Sequence, residues 1–559
     1  MSTKAKKRTG GQVICEVLEQ EGADTIFGMP GGASLPFYDA LYHSNIRHIL
    51  MRHEQGAGYA ADGFARVRND VGVATSTSGP GATNLVTAIA SAQMDSVGVV
   101  YITGQVARPF IGSDAFQETD ITGITIPITK QNYLVRSAHD LPRIMKEAFY
   151  LARSGRPGPV HVDVPKDVFL EATDAPIPDS VELRGYRPVK AGHRGMIRRA
   201  AELINKAERP VILSGHGTAI SSAYEEVFEL ATKAEIPVIT TLHGVGTFPE
   251  TNSLSFGMIG MHGMYYANMA VDRCDLIIGL GLRFDDRVTG RVKDFAAKAN
   301  IIHIDVDPAE IEKVVPTAVP IVGDLKATLQ ILNPLVHPNR HPEWLGHLGE
   351  LRAKHPSHEP PESDNFLPQH VVRMIYDATK GDARVVADVG QNQMWASQHF
   401  FYDKPLSFFS AGGLGGMGYA LPAALGVQVA KPDDTVWCVT GDGGLQINIQ
   451  EFAALAEYNI PVKIAVLNNN HLGMIRQWQS RFYAGRLLGA KLHNPDFAKV
   501  AEAYGFPGFR AETKEQGDKA IAEAMSIDGP VLIDFVVHEN EDVFPMVEPG
   551  ASLAETVER

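Results

Sequence analysis

Cysteine is scarce in this chain. Cys15, Cys274 and Cys438 are scattered along 559 residues, and no two form a CxxC pair. That excludes a disulfide framework and a cysteine-ligated zinc site. Cys438, inside the apolar run TVWCVT, reads as a buried, inert thiol. Long apolar runs are missing too. None approaches the roughly 18 residues that a membrane span needs, so no membrane association is expected. The basic N-terminus MSTKAKKR runs straight into GGQVICEVLEQEG with no apolar signal region between them. The chain therefore reads as cytoplasmic. Positive charge is in deficit, with 51 Lys and Arg against 65 Asp and Glu, a net charge of −14. That argues against a nucleic-acid partner while leaving room for a local basic site.

What is present suits a soluble globular protein. Hydrophobic residues make up 44% of the chain, and there are 53 glycines for tight turns and close backbone approaches. The length fits three or four domains at roughly 150 residues each. Short β-branched runs alternate with helical stretches: DTIFGM, IRHILM, VGVATST and VGVVYIT, then PVILSG, IPVITT, DLIIGLG and NIIHID, then ARVVADVG, TVWCVTGDG, PVKIAVLNNN and PVLIDFVV. Such alternation predicts parallel α/β sheets. Two polar, Pro-rich stretches, about 172–195 and 334–364, interrupt it and read as linkers; the His residues of the second lack metal-ligand spacing. The expectation is an α/β chain of three doubly wound domains, at 1–172, 190–335 and 365–540, with a tail over 541–559.

The strongest chemical signal is GDGGLQINIQEFAALAEYNIPVKIAVLNNN, residues 441–470. A strand ends at Gly441-Asp442-Gly443, a helix is predicted over 446–458, and the next strand ends at Asn468-Asn469-Asn470. Ligands of open α/β sheets bind at that edge. A carboxylate, an amide oxygen and a backbone carbonyl suit Mg²⁺, with phosphate oxygens and water completing the octahedron. Gly441, Gly443 and Gly444 would let a diphosphate approach the backbone. Two polar loops that merely cap helices are the plain alternative.

This unit resembles the signature of thiamine-diphosphate enzymes, GDG followed by NN. The resemblance implies Asp442, Asn469 and the backbone carbonyl of His471 as Mg²⁺ ligands. It also implies a glutamate in the first domain, and RHEQGAGYAADGFAR supplies Glu54. A carboxyl there would hydrogen-bond the cofactor's pyrimidine ring and help it remove its own thiazolium proton. In SAGGLGGMGYALPAALG, Met417 would wedge between the cofactor rings, with Gly415 beside it; Gln391, in DVGQNQMW, and Met474 would also touch the cofactor.

Further stretches are similar to acetohydroxyacid (acetolactate) synthases in particular, in order along essentially the whole chain: GMPGGASLPFYDAL, GSDAFQETDITGITIPITKQNYLV, SGRPGPVHVDVPKDV, GLRFDDRVTG, HIDVDPAEI, LGMIRQWQ and PMVEPGASLAE. That family decarboxylates pyruvate and passes the hydroxyethyl unit to a second pyruvate or to 2-oxobutyrate. The resemblance places Gly32, Phe116, Gln117 and Lys130 at the cleft from the first domain, and Trp478 as selector of the second substrate. It implies FAD in the middle domain, on Gly215, Gly217, His262, Arg283, Asp285, Arg287, Asp305 and Asp324, with Arg156 reaching in from the first domain. A homodimer or homotetramer with shared active sites is implied, and a separate regulatory subunit is compatible with it. Asn392, Leu282 and Gly444 depart from the family's usual His, Ala and Ser. The rival readings are another thiamine enzyme on the same scaffold, a non-catalytic nucleotide-binding protein, and an NAD-dependent dehydrogenase built on the partial fingerprint at 215–217.

Overall fold

A computed structural model describes residues 7–559; most of the basic N-terminal stretch lies outside them. Three six-stranded sheets, all parallel, succeed one another along the chain. The first holds Thr25–Gly28, Arg47–Leu50, Gly72–Ser76, Val99–Gln105, Gln131–Leu134 and Val160–Pro165. Counted along the chain, their spatial order is 2-1-3-4-6-5. The third sheet, from Arg384–Ala387 to Val531–Val536, repeats that order. The middle sheet, from Pro210–Ser214 to Val319–Val322, runs 3-2-1-4-5-6, the Rossmann order. Strands such as Val99–Gln105 and Lys463–Asn468 are buried along their whole length, as parallel strands covered on both faces must be.

The first and third domains share a core. The helix Glu54–Arg68 lies against Ala420–Ala430 so closely that a Cβ on Gly426 would sit 1.9 Å from the Ala60 carbonyl, and one on Gly63 would sit 2.2 Å from that of Ala423. Alanine and glycine at the crossing are what allow the two backbones to approach.

Two stretches differ from the sequence reading. Within 334–364, expected to be linker, the helix Pro342–Lys354 docks on the middle domain. Trp344 is buried there and donates its indole N–H to the Pro210 carbonyl at 3.1 Å. Its two apolar anchors, Trp344 and Leu348, are too few to stand out from the surrounding Pro, His and charge. The predicted helix 446–458 is broken: a short turn of helix, Asp442–Leu445, is followed by regular helix only at Phe452–Glu457. Asn448 interrupts it, donating its amide to the Gly418 carbonyl at 2.8 Å.

The tail beyond residue 540 folds back over both later domains. Gln477 donates to the Val543 carbonyl, and Val547 and Leu553 are buried against the middle domain. Among the described residues, no helix is long and apolar enough to cross a membrane.

Candidate active site

One cleft of ≈ 510 Å³ runs from the carboxyl ends of the middle sheet to those of the third. Asp442, Gly443 and Gly444 line one end, with Asn469, His471, Gln391, Gly415, Met417, Met474 and Trp478. Asp442 follows Val436–Gly441, and Gln391 follows Arg384–Ala387. These two strands are neighbours at the point where the sheet's order reverses, so their ends splay apart and leave a crevice.

Asp442 is 1% exposed. Its carboxylate accepts from the Gly443 N–H at 3.0 Å and from Asn494 Nδ2 at 2.6 Å, and it forms no ion pair among the described residues. Burial pushes its pKa up to about 6, and the hydrogen bonds only partly offset that. A buried carboxylate without a counter-charge is costly, and a divalent cation would supply one. Asn469 stands beside it: its Oδ1 accepts from the His471 N–H at 3.1 Å, and its Nδ2 donates to Gln391 Oε1 at 3.2 Å. One carboxylate, amide oxygens and backbone carbonyls form an all-oxygen donor set, the kind Mg²⁺ takes. No cluster of three His, Cys, Asp or Glu able to hold a metal occurs among the described residues.

Comparison with known proteins decides the family. Residues 8–124 match the N-terminal TPP binding domain of thiamine pyrophosphate enzymes, 197–332 their central domain and 388–535 their C-terminal TPP binding domain. An acetolactate synthase of Mycobacterium bovis is 50% identical over 558 residues, covering 97% of this chain and 90% of that protein. The acetolactate synthase large subunit of Corynebacterium glutamicum is 47% identical, covering 99% and 90%. A probable large subunit from Methanocaldococcus jannaschii is 47% identical, covering 98% and 95%. The chain belongs to the acetolactate synthase family. The three α/β domains and the thiamine-dependent acetolactate synthase function read from the sequence stand with it.

At the other end of the cleft lie Gly217, His262, Arg283, Asp285, Arg287, Asp305, Asp324 and Arg156. Gly215 is not on its wall; it packs against Gly281, where a Cβ would meet the carbonyl at 2.3 Å. Gly217, in the helix His216–Ile220 after Pro210–Ser214, faces Gly281, just past Leu276–Leu280, at the switch point of the Rossmann order, and a Cβ on Gly217 would come within 2.6 Å of the Gly281 Cα. Asp285 and Asp324 cap the helices Asp286–Thr289 and Leu325–Leu332. Burial pushes Asp305 up to about 7. Arg156 donates to Ser96 Oγ at 2.8 Å and pairs with Glu310 at 2.6 Å.

Arg156 and Asp95 reach this cleft from the first domain, but Glu54, Gly32, Phe116, Gln117 and Lys130 do not line it. Glu54, 4% exposed, opens its helix and accepts from Asn84 Nδ2 at 2.9 Å. It gathers with Gly32 and Gln117 around the turn at residues 76–81: a Cβ on Gly81 would lie 3.1 Å from Glu54 Oε1, one on Gly79 would lie 2.7 Å from the Gln117 carbonyl, and one on Gly31 would meet Thr77. Phe116 is 88% exposed beside Gln117, which takes a left-handed φ of 60°. Lys130 stands apart. Its ammonium donates to the Leu151 and Ser154 carbonyls at 2.5 and 2.8 Å, and burial lowers its pKa to about 8.

Several contributors had escaped sequence reasoning. Asn494 ties Asp442, Asn468 and Asn470 together from 24 residues beyond the asparagine cluster. Asp388 accepts from the Gly418 and Ala420 N–H groups at 2.9 and 3.1 Å and so fixes the backbone on either side of Tyr419, next to Met417. Glu451 accepts from the Arg52 and His53 N–H groups, holding the start of the Glu54 helix from the third domain. Only Asp388 carried a signal, an acidic residue at the end of an apolar strand. Asn392, in place of the family's usual His, turns its amide to the Asp388 and Val439 carbonyls and bridges the two strand ends beside Gly441.

Proposed function

We propose that the chain makes 2-acetolactate and 2-aceto-2-hydroxybutyrate from pyruvate and 2-oxobutyrate, with thiamine diphosphate, Mg²⁺ and FAD bound. The observation that carries the cofactor reading is the buried Asp442, without a counter-charge among the described residues, beside Asn469 at a sheet switch point. Asp442, Asn469 and the His471 carbonyl would hold Mg²⁺, and Gly441, Gly443 and Gly444 leave their backbone open to the diphosphate. Bound thiamine would supply a carbon nucleophile for a 2-oxoacid and a sink for the electron pair left behind when CO₂ departs. Glu54 would hold a proton against the pyrimidine ring. Met417 and Met474 shape the apolar wall, and Gln391 keeps Asn469 in place through its amide oxygen.

The central end of the cleft suits a flavin dinucleotide: a Rossmann switch point, close glycines, Arg283 and Arg287 for the diphosphate, and the carboxyl of Asp305 for ribose hydroxyls. The net reaction transfers no electrons, so FAD is structural in this reading. Glu54 lies outside the cleft that holds Asp442, which favours an active centre completed by a second copy of the chain. Phe116, Gln117 and Gly32 would enter the partner's cleft with it. Relatives named as large subunits make a separate regulatory subunit part of this reading. A cytoplasmic setting is proposed with it.

The experiment is an assay of the purified protein with pyruvate, with and without thiamine diphosphate and Mg²⁺, beside Asp442→Ala. Wild-type protein should require both and release flavin on denaturation, and the variant should lose thiamine retention as well as turnover. Full activity after chelation and cofactor removal would overturn the reading.

A further inference from the structure

The three domains meet at one buried carboxylate. Asp95 ends the helix Val86–Asp95 of the first domain and is 2% exposed. Its Oδ2 accepts from Arg66 Nη2 at 2.8 Å. Its Oδ1 accepts once from each of the other two domains: from the Gly413 N–H at 2.7 Å and from His243 Nε2 at 3.0 Å. His216 donates Nδ1–H to the Asp95 backbone carbonyl at 2.9 Å. Arg66 is itself anchored, to Asp62 at 2.7 Å and to the Ser410 carbonyl at 3.0 Å. Burial would push Asp95 up, but His243 and Arg66 outweigh it and hold the carboxyl well below the usual range, so it stays an anion.

These partners belong to different ends of the cleft. His216 and His243 follow the strands Pro210–Ser214 and Val238–Thr240 and line the middle-domain wall. Gly413 belongs to the loop 411–418, which carries Gly415 and Met417 to the thiamine end. Five of that loop's eight residues are glycine, so its own backbone preferences are weak and its contacts set its shape. At its start the contacts are Asp95 on Gly413 and the His243 ring against Gly412, where a Cβ would lie 2.5 Å from Nε2.

We propose that Asp95 and His243 are positioning residues that couple occupation of the middle domain by a flavin nucleotide to the shape of the loop bearing Met417, and so to thiamine diphosphate binding. The inference rests on the cofactor assignments above. A ligand that fixes His243 orders, through Asp95, a loop the second ligand would otherwise have to order itself; shared ordering of that kind is positive coupling between sites. By linkage, each cofactor must tighten the other by the same factor.

The test is titration of cofactor-stripped protein with thiamine diphosphate at fixed Mg²⁺, with and without saturating FAD, followed by protein fluorescence, and the reverse titration of FAD. In wild-type protein FAD should tighten thiamine diphosphate about 5- to 50-fold, and thiamine diphosphate should tighten FAD equally, within the usual range of such couplings. His243→Ala, on the cleft wall, and Asp95→Asn should bind both cofactors with that factor reduced to about one to two. His243→Gln keeps an N–H donor and should recover part of it. Variants with the wild-type factor, or a wild-type factor of one, would overturn the coupling while leaving both cofactor assignments standing. Wild-type protein that binds no FAD would instead remove the flavin assignment, and the inference with it.

Discussion

Trp478 and Met474 stand four positions apart on the helix Gly473–Phe482 and both line the cleft beside Asp442. The indole packs edge-on against Phe482, ring centroids 6.0 Å apart, and its N–H is buried without a partner among the described residues. Pyruvate and 2-oxobutyrate differ by one methylene, worth about 0.8 kcal/mol if fully buried, so only a firm apolar wall discriminates between them. The expected preference is for 2-oxobutyrate as acceptor. Trp478→Leu should lose most of it, a several-fold change or more, while still forming 2-acetolactate. Competition between both acceptors, with the two products quantified, checks this; an unchanged product ratio in a cofactor-loaded variant would remove Trp478 from the pocket. At this scale the sequence was most legible where chemistry and chain order coincide, as at Asp442 and Asn469 on adjacent strand ends; Gln391 came only from the family resemblance. It was silent where a role depends on a distant fold-back. Asn494 reaches Asp442 across 52 positions, and Asp95 meets Gly413 across 318. Nothing local to either residue marks it.

Among the elements, the crossing of Glu54–Arg68 with Ala420–Ala430 fixes where the helix that opens with Glu54 sits relative to the third domain. Gly426 lies inside a helix, where alanine would ordinarily be favoured by about 1 kcal/mol. Here the added Cβ would fall 1.9 Å from the Ala60 carbonyl, which is backbone and cannot swing aside. Overpacking of this kind costs about 1–3 kcal/mol, so the net sign should be destabilising. Gly426→Ala should therefore show a lower urea or thermal midpoint than wild type; a higher midpoint would mean the helices can separate without loss. Most central strands were readable as continuous apolar runs. The strands missed are chiefly sheet edges: Gln131–Leu134, Ser255–Met258, Phe408–Phe409 and Gly508–Ala511 are short, and most mix polar residues or glycine into the run. Val160–Pro165 was missed for another reason. Its His161 and Asp163 mimic a half-exposed strand, yet both are fully buried and are satisfied by hydrogen bonds with Thr103, Thr125 and Gln105. Alternation of polar and apolar residues marks one wet face only when the polar residues are not paired inside.

The whole molecule carries two half-sites built on sheets of the same strand order. Glu54, Gly32 and Gln117 gather at the carboxyl end of the first sheet; Asp442, Asn469 and Met417 gather in the cleft at the third. Within one chain the two domains pack through helices, and Glu54 lies off the cleft that holds Asp442. In the proposed dimer each half-site would be met by the complementary half of another copy, and two-fold symmetry would give two identical active centres per pair of chains. The measurement that tests this most directly mixes two inactive variants. Glu54→Gln should bind the cofactors but exchange the thiazolium proton about 10²–10⁴-fold more slowly, and Asp442→Ala should fail to retain thiamine diphosphate. Unfolded together in equal amounts, refolded with cofactors and assayed for 2-acetolactate, they should recover about a quarter of wild-type activity: half the dimers are mixed, and each mixed dimer has one intact centre. A mixture no more active than its parents, with dimers formed and cofactor bound, would place Glu54 and Asp442 in the same chain's active centre and contradict the account.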